Sequence, residues 1–146
     1  QRLLKEKLLD LNVLYHDKES RIFQYKSGNS VTIVCFNYSL PYGCDLGRIF
    51  DEQGIQFSLF SVNAQLNVDY NKIVENLRGT KNLILIDDTK SINRSSDKLM
   101  KVVNEECELR KKIIVTRDRE YDQYFPRQDL MKIDYQSILD TFRSNN

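Results

Sequence analysis

Asn82-Leu-Ile-Leu-Ile-Asp87 is the stretch on which the fold turns. It is short, apolar and rich in β-branched residues, and a segment with a period near 3.6 follows it. The same arrangement recurs on either side of it. Lys112-Ile-Ile-Val-Thr116 lies downstream, while Gln56-Phe-Ser-Leu-Phe-Ser-Val62 and Val31-Thr-Ile-Val-Cys-Phe36 lie upstream. Strands that alternate with helices need crossover connections, and crossovers make a parallel sheet buried on both faces. The expected fold is therefore a three-layer α/β/α domain with a mostly parallel five-stranded sheet. Right-handed crossovers give a core order of 56–62, 31–36, 82–88, 112–116. Residues 21–25 join as a fifth strand at an edge, where antiparallel pairing is allowed. The order reverses between 31–36 and 82–88, so a small-molecule crevice belongs beyond Phe36 and Asp88.

The helices follow from their punctuation. One begins near Pro41, whose missing N–H costs nothing in a first turn; it buries Leu46, Ile49 and Phe50 and stops at Gly54. Asp69 caps a second, with Tyr70, Ile73, Val74 and Leu77 on one face and Gly79 at its end. Ser95 or Ser96 caps a third, with Leu99, Val102, Val103 and Cys107 inward. A fourth, capped by Asp134, presents Tyr135, Ile138, Leu139 and Phe142. Lys26-Ser-Gly-Asn29 is turn chemistry, because Gly and Asn tolerate positive φ. Residues 1–20 read as an arm or linker, with Leu3, Leu4, Leu8, Leu11, Val13 and Leu14 among charges, and 21–146 as the domain.

Charge and cysteine usage narrow the function classes. Twenty-two Lys and Arg balance 21 acidic residues with no basic block, which argues against a nucleic-acid groove. Cys35, Cys44 and Cys107 are an odd number without CxxC spacing, as expected of buried thiols in a reducing compartment. No apolar run approaches the roughly 20 residues that span a bilayer, and no signal-peptide pattern opens the chain. The expectation is a soluble intracellular protein. The chain does not open on Met, which points to a fragment or a processed form.

Asp87-Asp88 at a strand end is the sharpest chemical feature, since paired carboxylates can hold Mg²⁺ for phosphoryl transfer. Without a GxxxxGK[ST] loop, and with Asn37 after the first core strand, that reading ranks below one carboxylate capping the next loop. His16 is the sole histidine and reads as exposed or locally bonded rather than catalytic. Tyr121, Tyr124 and Phe125 cluster with Arg117 and Arg119; this is either an interaction surface or a loop folded onto the sheet. No dinucleotide fingerprint is present.

Four stretches then carry a likeness. Gly28-Asn-Ser-Val-Thr-Ile-Val34 enters the first core strand, and Phe57 to Asp69 contains the second. Val103-Asn-Glu-Glu-Cys107 ends a helix, and Arg117-Asp-Arg-Glu-Tyr-Asp-Gln-Tyr-Phe-Pro126 forms the late loop. Together they resemble the C-terminal domain of transketolase-like enzymes, and most of all the beta subunit of thiamine-diphosphate-dependent 2-oxo acid dehydrogenases of the pyruvate and branched-chain types. Arg2-Leu3-Leu4-Lys5 is similar to the segment leaving that family's pyrimidine-binding domain. The chain departs from the pattern at Asn37, Ser61, Asn63, Asn67, Asn93-Arg94, Glu120 and Tyr124, which marks a divergent member.

The resemblance implies a domain for subunit association and for docking an acyltransferase core, in the cytoplasm or the mitochondrial matrix. It also implies that thiamine diphosphate and Mg²⁺ bind elsewhere in the full enzyme. No catalytic, cofactor-binding or metal-ligating residue carries over. The expected partners are a second copy or another enzyme subunit, not nucleic acid or membrane, and the isolated domain is expected to be inactive. The competing readings are a stand-alone ligand-binding or regulatory module using the strand-end crevice and, behind it, an Mg²⁺-dependent phosphoryl-transfer domain.

Overall fold

A computed structural model describes residues 12–17, 22–63, 68–89, 94–117, 131 and 133–143. Six strands form one sheet: β1 Tyr15–Asp17, β2 Ile22–Lys26, β3 Val31–Phe36, β4 Phe57–Val62, β5 Asn82–Asp87 and β6 Lys111–Thr116. Their spatial order is β1-β2-β4-β3-β5-β6. The central order β4-β3-β5-β6 is the expected one, and all three of its pairings are parallel. The sheet has six strands rather than five, because Tyr15–Asp17 pairs antiparallel with β2 outside the expected boundary at residue 21. In turn β2 runs antiparallel to β4, so it stands second from the edge. A three-residue strand without alternation gives too weak a period to be read from sequence.

Every residue of β3 and β4 is buried, as a strand covered on both faces must be. Helices α1 Leu40–Glu52 and α4 Tyr135–Arg143 cover one face, over Ile33, Cys35, Leu59, Ile84 and Ile86. Helices α2 Asn71–Thr80 and α3 Asp97–Glu106 cover the other, over Val34, Phe36, Phe60, Val62, Leu83 and Leu85. Each such side chain contributes about 1.5–3 kcal/mol on leaving water. Two glycines let α1 approach the sheet. A Cβ on Gly43 would collide with the Cys35 sulfur, and one on Gly47 would lie 2.6 Å from the Phe57 ring. The Lys26–Asp51 ion pair, at 2.7 Å, ties β2 to α1 but is exposed, so it stabilises by under about 1 kcal/mol.

Helix ends differ from the expected ones in instructive ways. Helix α1 starts one residue before Pro41, which sits in the first turn as expected, and Ile49 is only partly buried. Gly54 does adopt the left-handed φ of 71° beyond α1. Gly79 does not end α2; the helix continues to Thr80 and closes on Lys81 at φ 62°. Asp69 accepts the Asn71 N–H at 2.9 Å, yet the formal cap position is Tyr70. Asp134 caps α4 as expected, accepting the Ser137 N–H at 3.0 Å. No described helix is long and apolar enough to cross a membrane.

Candidate functional site

The strand order reverses between β3 and β5, so their carboxyl ends define the crevice where α/β sheets take ligands. From β3 the chain turns through Asn37, held at φ 59°, a conformation that asparagine tolerates better than most residues. The Asn37 N–H donates to Val62 O at 2.8 Å, and its side-chain amide donates to Ser95 Oγ at 3.0 Å. Tyr38 follows with its ring 86% exposed, while its N–H donates to Asp88 Oδ2 at 3.1 Å. Ser39 is fully buried, and its hydroxyl reaches Phe36 O at 2.7 Å and Ile86 O at 2.9 Å. That hydroxyl stitches the ends of β3 and β5 together where their ladder stops.

The two carboxylates at the end of β5 have separate roles. Asp87 is completely buried. Its Oδ1 accepts the N–H of Thr89 at 2.9 Å and that residue's hydroxyl as well. Its Oδ2 accepts the Ser96 N–H at 2.9 Å. Ser96 occupies the cap position of α3 but makes no side-chain cap bond; the cap comes from Asp87 across the loop. A carboxylate beside the positive end of a helix is stabilising, which is why it serves better there than a hydroxyl. Asp87 thus caps the following loop, as the preferred sequence reading holds. The Thr89 and Ser95 hydroxyls lie 2.9 Å apart, and the Ser95 N–H donates to Thr89 Oγ1 at 3.1 Å.

Asp88 is half-buried. Burial pushes its carboxyl above the ordinary range, opposed by hydrogen bonds from the Asn37 side chain and the Tyr38 N–H; the Asp87 charge raises it further. Burial first, and the Asp87 charge second, push the Tyr70 hydroxyl up to about 12. Arg117, just after β6, is buried and engaged. Sequence reasoning missed Ser39, Thr89 and Ser96 as members of this network. The signal for Thr89 was present, since an Asp followed two residues later by a backbone N–H makes an Asx turn.

Other sequence candidates fall elsewhere. His16 is exposed on β1 and stacks on the Phe23 ring with centroids 4.1 Å apart. Cys35 is buried and its thiol is raised well above the ordinary value, by burial first and then by Cys44. Cys44 and Cys107 are half-buried, and all three cysteines are free. Leu3, Leu4, Leu8, Leu11, Arg119, Tyr121, Tyr124 and Phe125 lie outside the described residues.

Both Asp87 oxygens are committed to the chain's own donors. Among the described residues no group of three or more His, Cys, Asp or Glu could hold a metal ion.

Comparison with known proteins leaves sequence silent and geometry informative. No family model matches the sequence. No curated protein matches it either. Solved structures do match, among them a split-gene transketolase described as an inactive beta4 tetramer. The two share 18% identity at a TM-score of 0.62, over 72% of this chain but only 35% of the other. This chain therefore spans about a third of that protein's length. At such identity the likeness speaks for the fold alone: a transketolase C-terminal-like α/β/α architecture.

Proposed function

We propose that the chain is a C-terminal domain of a thiamine-diphosphate enzyme, beta-subunit-like among the 2-oxo acid dehydrogenases, that serves association and partner docking rather than catalysis. Its setting is the cytoplasm or the mitochondrial matrix. The observation that carries this reading is the contrast between strand-end polar groups that bond to the chain itself and sheet margins that present apolar side chains. Val13 and Leu14, beside β1, are 52% and 58% exposed, and Ile114 on the opposite edge strand is 43% exposed. Leu14 N–H already donates to Gln24 O at 2.7 Å, so this apolar pair is held at the sheet margin. Exposed edge strands bearing apolar residues are places where a second chain can add. The fold's likeness to a transketolase described as a tetramer supports the same reading.

Light scattering tests it. The chain should associate at micromolar concentration, and Leu14→Asp or Ile114→Lys should shift it toward monomer by about tenfold in dissociation constant. Calorimetric titration with thiamine diphosphate and Mg²⁺ should give no saturable heat. A parent that stays monomeric at high micromolar concentration, or that binds the cofactor on its own, overturns the reading.

A further inference from the structure

The two outer strands of the sheet are not alike. β1 is three residues long, and the register of its neighbour β2 shifts between Gln24 and Lys26. At the other margin β6 pairs with β5 in unbroken parallel register, from Asn82 against Lys111 to Asp87 against Thr116. Among the described residues no strand lies on its outer side. Such an edge offers a row of backbone donors and acceptors to another chain unless shortness, a bulge, proline or charge blunts it. Lys111-Lys-Ile-Ile-Val-Thr116 has neither bulge nor proline, and its charge is confined to one end. Lys111 is turned toward α4, where its Nζ donates to Thr141 O and lies 5.4 Å from the centre of the Phe142 ring.

The side chains of β6 sort by face. Ile113 and Val115 pack into the core on the side of α1 and α4, so Lys112, Ile114 and Thr116 point to the other side. There Ile114 is exposed, an apolar residue in the middle of an unpaired edge. We propose that β6 pairs with β6 of a second copy, antiparallel about a two-fold axis at Ile114, so that the two sheets become continuous. This deepens the association reading and rests on it.

Symmetry and charge choose that register. A two-fold axis normal to the sheet keeps each face on its own side, and opposed residues share a face, so the axis passes through a residue. Centred on Ile114, that side chain meets its own copy, Ile113 meets Val115, and Lys112 meets Thr116. Beyond them Lys111 falls opposite Arg117, which is buried and engaged within its own chain. Centred on Lys112 like charges would meet, and centred on Ile113 the exposed Ile114 would face Lys112. Centred on Val115 only residues 114–116 of the strand would pair. A parallel arrangement would set Lys112 beside its own copy, and like charges directly opposed are destabilising. Adding β6 to β1 of another copy would use a three-residue strand and run on without closing.

The test places cysteine along β6 and oxidises the associated chain, with peptide mass mapping to locate each link. The parent, with its own Cys35, Cys44 and Cys107, sets the background. Opposed Cβ atoms lie about 4.5–5.5 Å apart in an antiparallel pair, near enough for a disulfide to form. Ile114→Cys should link to its own copy. Lys112→Cys and Thr116→Cys should not self-link, but a mixture of the two should join 112 to 116 with Ile114 intact. Light scattering on the reduced parent separates the two readings. If it is monomeric at high micromolar concentration, this proposal falls together with the association reading. If it associates and neither link forms, or if Lys112→Cys links to itself, the β6 pairing alone falls.

Discussion

The two ends of one parallel sheet treat their polar groups in opposite ways. At the carboxyl end Asp87, Ser39, Thr89, Ser95 and Asn37 all bond to one another or to nearby backbone. The amino end has a cleft lined by Lys81 and Arg110, neither of them in an ion pair among the described residues, and the Asn82 Oδ1 is buried without a donor among those residues. The general rule places ligands at the carboxyl end. That rule identifies where backbone geometry permits a site, and side chains then decide whether the space stays available.

The comparison breaks most visibly at Asp87. Replacing it with Ala leaves the Ser96 and Thr89 N–H groups without their acceptor and removes the cap of α3. The expected loss is about 3 kcal/mol or more, read by urea unfolding. A loss under about 1 kcal/mol would mean that the network at this end is dispensable and the contrast between the ends is false.

Ser39→Ala sharpens the contrast at a smaller scale. The hydroxyl that bridges β3 and β5 disappears, and Phe36 O and Ile86 O lose it as a donor. Unfolding should become easier by about 1 kcal/mol, with hydrogen exchange faster at the strand ends than in mid-strand. Uniform exchange along both strands would count against the stitching role.

The smallest effect concerns pH. Asp88 is raised by burial, so the folded state holds its proton more strongly than the unfolded state does. Within the window between the unfolded value and the raised folded one, the native chain binds more protons, and stability falls as pH rises through it. Asp88→Asn should flatten that decline and leave the protein at least as stable at neutral pH, because the amide oxygen can still accept the Tyr38 N–H. Melting curves across the acid range check the sign; an unchanged slope in the variant would assign the decline to another group.

Much of the architecture was legible in the chain. The central strand order, the parallel pairing and the four helices follow from runs such as Asn82–Asp87 and from punctuation such as Pro41 and Asp134. These signals are local and repeat along the sequence, so no distant contact is needed to read them. The site was less legible. Asp87 was visible as the end of a strand, and its capping role could be favoured from sequence. That its second oxygen reaches the N–H of Ser96, nine residues on, depends on Ser96 being brought to the strand end.

The same division holds at the helix ends. Gly79 had the look of a cap, because sequence offers a glycine near the end of a periodic run and little else to set the boundary. In the folded chain Lys81 takes that position instead. The pairing of Arg110 with Lys81 lies 29 residues apart in sequence, by subtraction of their numbers, and exists only because β5 and β6 are neighbours. By itself the sequence determined the α/β class, the core order and which faces are apolar, because hydrophobic periodicity and turn chemistry act over a few residues. Only the tertiary structure decided which polar groups are satisfied and which remain open, because a hydrogen bond depends on the position of a partner that the chain brings from far away.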